Sequence, residues 1–136
     1  MKFNLKVYCE KTRLKDIRKF ITEKLKAYVH DELEINQMVL AVDEICANLI
    51  IHSNYCNANE VINLEVLIEK DGVTFEITDE GEKFDHKKYQ EPSIQEVVQT
   101  KKKGGIGLLL VRRIMDKVEF FHKEEKNTCI LHKRFK

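Results

Sequence analysis

Few features of this sequence separate one part of the chain from another. It has a single proline, no proline- or serine-rich stretch, no internal repeat and no low-complexity segment, so nothing indicates a linker between domains. Its 136 residues are enough for one domain with a proper core. We therefore predict a single domain over residues 1–136.

The sequence also lacks an excess of charge of either sign. Its 24 lysines and arginines nearly balance its 23 aspartates and glutamates, and the net charge is only +1. Such a balance gives no general attraction to nucleic acid or to an anionic membrane. No apolar run approaches the roughly 18 residues of a membrane span, and the N-terminal MKFNLKVYCEKTR alternates instead of forming the apolar part of a signal peptide. We expect neither nucleic acid nor a membrane to be a direct partner.

Cysteine pairs with metal-binding spacing are absent. The four cysteines, Cys9, Cys46, Cys56 and Cys129, show no CxxC motif. Two of them lie inside apolar segments, which favours buried free thiols over the ligands of a metal site. Because free thiols persist in a reducing compartment, we predict a cytoplasmic protein.

A clear succession of strand and helix patterns is present instead. Apolar residues alternate at 2–8, 62–68 and 73–77, which predicts three strands, and the segments VEFFHKE and TCILHKRF, 118–124 and 128–135, look like a final strand pair. Apolar residues recur at helical spacing elsewhere, which predicts helices at 13–29, 36–53 and 106–118 and a short one at 93–100. The turn KDG at 70–72 joins the second and third strands in a β-hairpin. This order predicts an α/β fold, a two-layer sandwich whose mostly antiparallel mixed sheet is covered by helices on one face.

The second predicted helix carries polar residues beside its apolar stripe. Glu44, Asn48 and His52 follow one another at four-residue spacing, so they span only about 80° of the helix surface. The apolar stripe lies roughly a quarter turn away and consists of Met38, Val42, Ile45 and Leu49. The polar residues therefore border the core, as residues in the wall of a groove would. A solvated helix face explains the same spacing, and the helix alone does not decide between the two.

Two glycine-containing loops follow the hairpin. In TDEGEKFD, 78–85, Asp79 ends a strand and Gly81 allows the backbone to come close to a ligand, although a simple turn accounts for the same residues. In KKKGGIG, 101–107, the glycines leave backbone N–H groups open to an anion at the start of a helix, and the lysines add positive charge. A flexible basic loop is the alternative. Neither loop has the pattern of a Walker A or a Rossmann phosphate-binding motif.

Taken in order, these three segments resemble the motifs of the GHKL ATPases. DEICANLIIHS, DEGEKFD and GGIGLLLVRRIMD correspond to an N box, a G1 box and a glycine-rich G2 box. In detail they are most similar to the bacterial anti-sigma factor serine/threonine kinases. The matching residues are Glu44-Asn48-His52 in the N box, Phe84-Asp85 after G1, and Gly105-Gly107-Leu108 with Met115-Asp116 in G2. The resemblance covers about residues 3–135 and implies the Bergerat, or GHKL, ATP-binding fold.

The resemblance implies roles for residues of the N box and the G1 box. Asn48 corresponds to the asparagine that holds Mg²⁺ between the phosphates of ATP, and Glu44 to the acid that acts as general base on the attacking hydroxyl. Asp79 corresponds to the aspartate that accepts a hydrogen bond from the adenine amino group, and Gly81 to the glycine that admits the ring. His52 also matches a common position, but the resemblance gives it no defined role.

The G2 box and the last strand supply the other implied contacts. Gly105, Gly107 and Leu108 correspond to the segment whose N–H groups hold phosphate. Lys103 stands where some relatives place an arginine that meets the γ-phosphate, and lysine supplies a point charge there but not a bidentate fork. Thr128 matches a threonine that helps to bind adenine through water. ATP and Mg²⁺ are thus the expected ligands.

The implied function is that of an ATP-dependent protein serine/threonine kinase and anti-sigma factor. Such a protein phosphorylates a small anti-sigma antagonist protein and sequesters a sigma factor, and because relatives often dimerise, a homodimer is a further option. Two alternatives stay open: a nucleotide-dependent adaptor with little or no kinase activity, and a plain interaction domain whose glycine loops hold nothing. The intact Glu44 favours the kinase, and the lysine at position 103 leaves room for the adaptor.

Overall fold

The computed structural model of the chain describes residues 1–53, 57, 59–80 and 106–135. Within these ranges the chain forms five strands and three α-helices. The strands are β1 (Lys2–Tyr8), β2 (Val61–Ile68), β3 (Gly72–Asp79), β4 (Lys117–Lys123) and β5 (Lys126–Arg134). The helices are α1 (Leu14–Lys26), α2 (Glu32–Asn48) and α3 (Ile106–Ile114). This order confirms the prediction, and the predicted short helix at 93–100 lies outside the described residues.

The five strands form one sheet in the order β1-β2-β3-β5-β4. All four neighbouring pairs are antiparallel, so the mixed character that the sequence suggested is not found among the described strands. The connection between β1 and β2 shows why. Two helices, rather than one, separate these strands and return the chain to the end of the sheet where β1 finished, so that Tyr8 lies opposite Val61. A single crossover helix would have given a parallel pair.

One face of the sheet packs against the helices, and we call it the inner face. Alternate strand residues point to it and form one core with the helices. Buried strand residues on this face include Ile62, Leu64, Val66, Val73, Phe75, Ile77, Cys129 and Leu131. The predicted stripe of α2 is buried throughout, since Met38, Val42, Ile45 and Leu49 are each at most 2% exposed. The predicted two-layer sandwich is therefore confirmed.

Helix α2 begins at Glu32, earlier than the predicted residue 36. Asp31 has extended backbone, and its side chain accepts hydrogen bonds from the N–H groups of Leu33 at 2.9 Å and Glu34 at 3.4 Å. Because these bonds satisfy two N–H groups that have no partner within the helix, Asp31 is the N-cap. At the other end the α-helix stops at Asn48, and Leu49–Ser53 continue as one turn of π-helix.

The turn between β4 and β5 differs from the predicted connection at 125–127. It is made by Glu124 and Glu125, whose φ values are 54° and 63°. Two successive positive φ values are typical of the type I′ hairpin turn, whose usual residues are asparagine and glycine. Because glutamate rarely adopts this conformation, the residue types gave no sign of the turn. The correction moves Asn127 out of the loop and into β5.

Replacement of Asp31 by alanine tests the N-cap. We expect the free energy of unfolding to fall by about 1 kcal/mol, because the N–H groups of Leu33 and Glu34 lose their acceptor. Urea denaturation followed by circular dichroism measures the change. Asp31→Asn is the matched control, since it keeps an acceptor oxygen and should stay close to the parent. Equal losses in the two variants would show that the charge of Asp31, not its hydrogen bonds, stabilises the helix start.

Candidate functional site

The polar face of α2 lies at the border of the core. Glu44 and Asn48 are half-buried, whereas their neighbours Ile45 and Leu49 are fully buried. Asn48 is the last residue of the α-helix, and His52 belongs to the π-helical turn that follows. Such π-helical turns are rare in proteins, and many of those that occur lie at functional sites. Glu44 and Asn48 therefore border the core, as the sequence predicts.

Helix α3 approaches Glu44 closely at its first turn. Gly107, the second residue of α3, is buried. A methyl group on its Cα would overlap the carboxylate oxygen Oε2 of Glu44 and lie 2.9 Å from the carboxyl carbon. Any residue with a side chain would therefore have to displace this carboxylate. The structure thus brings together one residue of the predicted N box and one of the predicted G2 box.

The start of α3 has the properties of an anion site. The first N–H groups of a helix have no partner within the helix, and the helix dipole adds partial positive charge there. No acidic residue lies in the first turn of α3 itself. Leu108 is only 1% exposed, so its side chain packs in the core and anchors the helix. Any contact of Leu108 with a ligand would therefore come from its backbone.

Two charged side chains, Arg18 and Asp43, set the electrostatics around Glu44. Arg18 of α1 places Nη1 3.1 Å from Oδ1 of Asp43, so an ion pair joins α1 to α2. Burial raises the pKa of Asp43, and the charge of Arg18 opposes that rise. Burial also raises the pKa of Glu44, and the negative charge of neighbouring Asp43 raises it further. A carboxylate with a raised pKa holds a proton more readily than a solvated one, as a general base must.

A polar row crosses three strands at one end of the inner face. Asp79 ends β3 and is 3% exposed, and it lies opposite Asn127 of β5, which is 4% exposed. On the other side of Asn127 its partner in β4 is His122, whose Nδ1 lies 3.0 Å from Asn127 Oδ1. The sequence predicted Asp79 as a site residue but missed Asn127 and His122. The only signal for Asn127 was its polar side chain beside the last strand, and the misplaced turn concealed its pairing.

Thr128 does not lie beside Asp79. Its partners in the neighbouring strands are Thr78 and the exposed Phe121, and side chains alternate along a strand, so Thr128 faces outward where Asn127 faces inward. Thr128 nevertheless borders a cavity of about 10 Å³ under Ile45 and Leu49 of α2. That is about the space of one water molecule. Thr128 therefore borders the inner face at this cavity and not beside Asp79.

Several predicted residues lie outside the described part of the chain. These are Gly81, Lys103 and Gly105 of the site, Phe84 and Asp85 of the G1 motif, and Cys56. The other three cysteines, Cys9, Cys46 and Cys129, are buried free thiols, as predicted. Burial raises the pKa of the Cys46 and Cys129 thiols, which keeps them protonated.

A separate groove of about 450 Å³ lies at the same end of the sheet. Its lining is polar for the most part and carries both charges; it comprises Lys6, Asn59, Glu60, Val61, Asn63, Thr78, Asp79, Glu80 and Lys126. Among the described residues of the predicted site, Asp79 alone belongs to this lining, and Glu44 and Gly107 do not. Within the described ranges, no helix has both the length and the apolar character that a membrane span requires.

Comparison with known proteins gives relatives over most of the chain. The histidine kinase-like ATPase domain family (HATPase_c_2) matches residues 8–133. The chain is 29% identical over 112 residues to the serine-protein kinase RsbW of Halalkalibacterium halodurans, with 79% of this chain and 65% of that protein covered. It is 24% identical over 101 residues to the anti-sigma F factor of Clostridium perfringens, with 74% and 72% covered. The chain thus spans slightly less than two thirds of that RsbW kinase.

A solved structure shares the fold. The crystal structure of the RsbU and RsbW domains of Rv1364c from Mycobacterium tuberculosis matches with a TM-score of 0.68 and 15% identity, covering 98% of this chain and 32% of that one. At this identity the likeness concerns the fold alone. The match to the family over residues 8–133, together with these relatives, shows that the chain belongs to the histidine kinase-like ATPase domain family.

Proposed function

We propose that this chain is an ATP-dependent protein serine/threonine kinase that also acts as an anti-sigma factor. The observation that carries the proposal is the close approach of Gly107, at the start of α3, to the Glu44 carboxylate. A phosphate bound at that helix start would lie beside a general base held by α2. Membership of the family and similarity to proteins named serine-protein kinase RsbW and anti-sigma F factor support the same proposal.

The proposed nucleotide is ATP, with Mg²⁺ as its metal. Asp79 offers a buried carboxylate that accepts a hydrogen bond from an exocyclic amino group. Asn48 offers a half-buried amide oxygen at the end of α2, and hard oxygen ligands of this kind suit Mg²⁺, so the residues present fit the ion. Mg²⁺ bound there would neutralise charge on the phosphates.

Phosphoryl transfer depends mainly on positioning and on charge stabilisation. A serine or threonine hydroxyl of the protein substrate attacks the γ-phosphorus, the bond from that phosphorus to the bridging oxygen of the β-phosphate breaks, and ADP leaves. Glu44 accepts the proton of the hydroxyl. The N–H groups at the start of α3 hold phosphate oxygens, and Gly107 keeps those groups close to Glu44.

The names of the relatives support the proposed protein partners. We propose a small anti-sigma antagonist protein as phosphorylation substrate and a sigma factor as the sequestered partner, with the two competing for one surface. A cytoplasmic location and a homodimer stay predictions. The alternative function is a nucleotide-dependent adaptor with little or no kinase activity. It is favoured by Lys103, because lysine cannot make the bidentate contact that an arginine would make with the γ-phosphate.

Transfer of labelled γ-phosphate from ATP tests the proposal. The chain is incubated with Mg²⁺, labelled ATP and a candidate antagonist protein from the same genome, chosen by gene neighbourhood. The kinase predicts label on a serine or threonine of the antagonist. Tight ATP binding and stable antagonist binding without transfer of label would establish the adaptor instead.

Asn48→Ala is expected to remove the stabilisation that Mg²⁺-ATP gives to the parent. A ligand at 100 times its Kd adds about 2.7 kcal/mol to stability, so the parent should show a clear rise in Tm. The variant without ATP should melt like the parent, because Asn48 is half-buried and lies off the apolar stripe. Scanning fluorimetry with and without Mg²⁺-ATP measures both effects. An unchanged ATP-dependent shift in the variant would remove Asn48 from the site.

Glu44→Gln is expected to slow phosphotransfer by about 10²–10⁴-fold, because glutamine cannot accept the hydroxyl proton. Glutamine has nearly the helix propensity of glutamate, so stability should barely change. ATP affinity and antagonist binding should also be preserved, and calorimetry measures both. A variant as active as the parent would exclude Glu44 as the base.

Gly107→Ala is expected to slow phosphotransfer by displacing the Glu44 carboxylate. Stability should not fall markedly, because alanine favours the helix and the displaced group is the end of a flexible side chain. A double-mutant cycle with Glu44→Gln is the control. If Gly107 acts through Glu44, the double variant should be no slower than Glu44→Gln alone. Additive losses would mean that Gly107 acts independently, for instance by admitting phosphate.

Asp43→Asn is expected to shift the acidic limb of the pH–rate profile to lower pH. Burial and the charge of Asp43 raise the pKa of Glu44, and the base works only when ionised, so the rate falls as pH drops through that raised pKa. Removing the charge of Asp43 lowers the pKa of Glu44 and keeps the base ionised further into acid. Asp16→Asn, which alters an exposed carboxylate of α1, is the control and should leave the profile in place.

A further inference from the structure

Helix α2 has apolar side chains on the side that faces away from the core. Leu33 is 65% exposed, Leu40 is 42% exposed and Ala47 is half-buried. The three residues follow one another at seven-residue spacing, so they lie within roughly 40° of one another on the helix surface. We call them the outer stripe. A single exposed leucine is common in proteins, but apolar residues that recur every seventh position are typical of a surface that packs against a second helix.

The outer stripe lies between the two neighbouring helices and runs past the proposed catalytic base. On one side of α2, Asp43 forms an ion pair with Arg18 of α1. On the other side, Glu44 meets Gly107 of α3. Leu40 precedes Glu44 by four residues, which is roughly 6 Å along the helix axis. A helix that packed along the outer stripe would therefore pass close to Glu44.

The charge of α2 indicates what kind of helix fits this surface. Its 17 residues include no lysine or arginine, and they include four acids, Glu32, Glu34, Asp43 and Glu44. The neighbouring α1 carries five lysines and arginines in 13 residues. The helix dipole accounts for the acids in the first turn of α2, but it would favour a cation in the last turn, where there is none. The surface therefore complements an apolar helix face that is flanked by basic residues.

We propose that the outer stripe is the docking surface for the phosphorylation substrate. The substrate lays an amphipathic helix with flanking lysines or arginines along α2 and so brings its serine or threonine to Glu44. The inference rests on the proposed kinase function. A second copy of this chain fits the stripe less well, because two copies of α2 side by side would bring their acidic residues together.

The double variant Leu33→Gln, Leu40→Gln tests the apolar part of the surface. Glutamine has nearly the helix propensity of leucine, and both leucines are exposed, so the variant should fold like the parent. In the transfer assay with the candidate antagonist, KM for the antagonist should rise about tenfold, because two apolar side chains no longer leave water on binding. The kcat at saturating antagonist and the affinity for ATP should stay unchanged.

Val61→Thr is the matched control, since it also makes an exposed apolar residue polar, but on the sheet face that is turned away from the helices. It should leave KM unchanged. An unchanged KM in the double variant, with normal transfer of label, would overturn the docking surface and leave the kinase intact. If the parent transferred no label at all, the proposed function would fail. Calorimetry of antagonist binding to the parent and the double variant would then decide about the surface separately.

Light scattering after size exclusion distinguishes the other occupants of the stripe. The parent and the double variant should have the same mass. A dimeric parent and a monomeric variant would assign the stripe to a second copy of the chain and overturn the proposal. A lower Tm of the double variant in the absence of any partner would show that another part of the same chain covers the leucines, and this result would overturn it as well.

Glu32→Lys tests the charge of the surface. The reversal should raise KM for the antagonist by about two- to fivefold at low salt, because an exposed ion pair is lost. The difference from the parent should shrink in 0.5 M salt, roughly, since salt screens exposed charges. Glu23→Lys makes the same change on the exposed side of α1 and should have no such effect. Equal effects of the two reversals would mean that net charge, not the surface of α2, attracts the antagonist, and would overturn the basic character proposed for the docking helix.

Discussion

Helix α2 contacts the sheet through its apolar stripe, and it contacts helix α3 through its adjacent polar face. This double contact fixes the position of Glu44. The stripe is at most 2% exposed, so α2 cannot rotate without breaking a close-packed core. Helix α3 is anchored in the same core by Leu108 and Val111. Hydrophobic burial thus brings the two helices together, and Gly107 lets their contact occur at the carboxylate. The position of the Glu44 carboxylate therefore follows from the packing of the two helices.

The polar groups of the candidate site lie along the edge of that core. Those proposed for phosphoryl transfer, Glu44 and Asn48, are less buried than Asp79 and Asn127. Glu44 and Asn48 are half-buried, and partial burial raises the pKa of the Glu44 carboxyl. Asp79 and Asn127 are almost fully buried, where hydrogen-bond matching to a ligand is most selective. Arg18 holds Asp43 across α1 and α2 and so limits the negative charge that Glu44 experiences.

Burial patterns made most of the fold predictable. The alternation in β2 and β3 and the stripe of α2 record directly which side chains enter the core, so those elements could be predicted. The contact between Glu44 and Gly107 could not, because it depends on how two helices pack. The backbone conformation of individual residues could not be predicted in the same way. The turn at Glu124 and Glu125 uses positive φ values that glutamate rarely adopts, so its residue types did not indicate a turn. That error left Asn127 in the predicted loop and hid its pairing with His122, because the register of a hairpin follows from its turn.

Titration of the protein with Mg²⁺-ATP, followed by the NMR shifts of backbone amides, tests most directly whether the polar face of α2, the start of α3 and the end of β3 form one nucleotide site. The account predicts that the amides of Gly107, Leu108 and Asp79 shift most, and that Ile68 and Gly72, at the opposite end of the sheet, hardly move. Largest shifts at Lys6, Asn63 and Thr78 would place the nucleotide in the separate groove and contradict it. An unchanged spectrum at saturating Mg²⁺-ATP would contradict it as well.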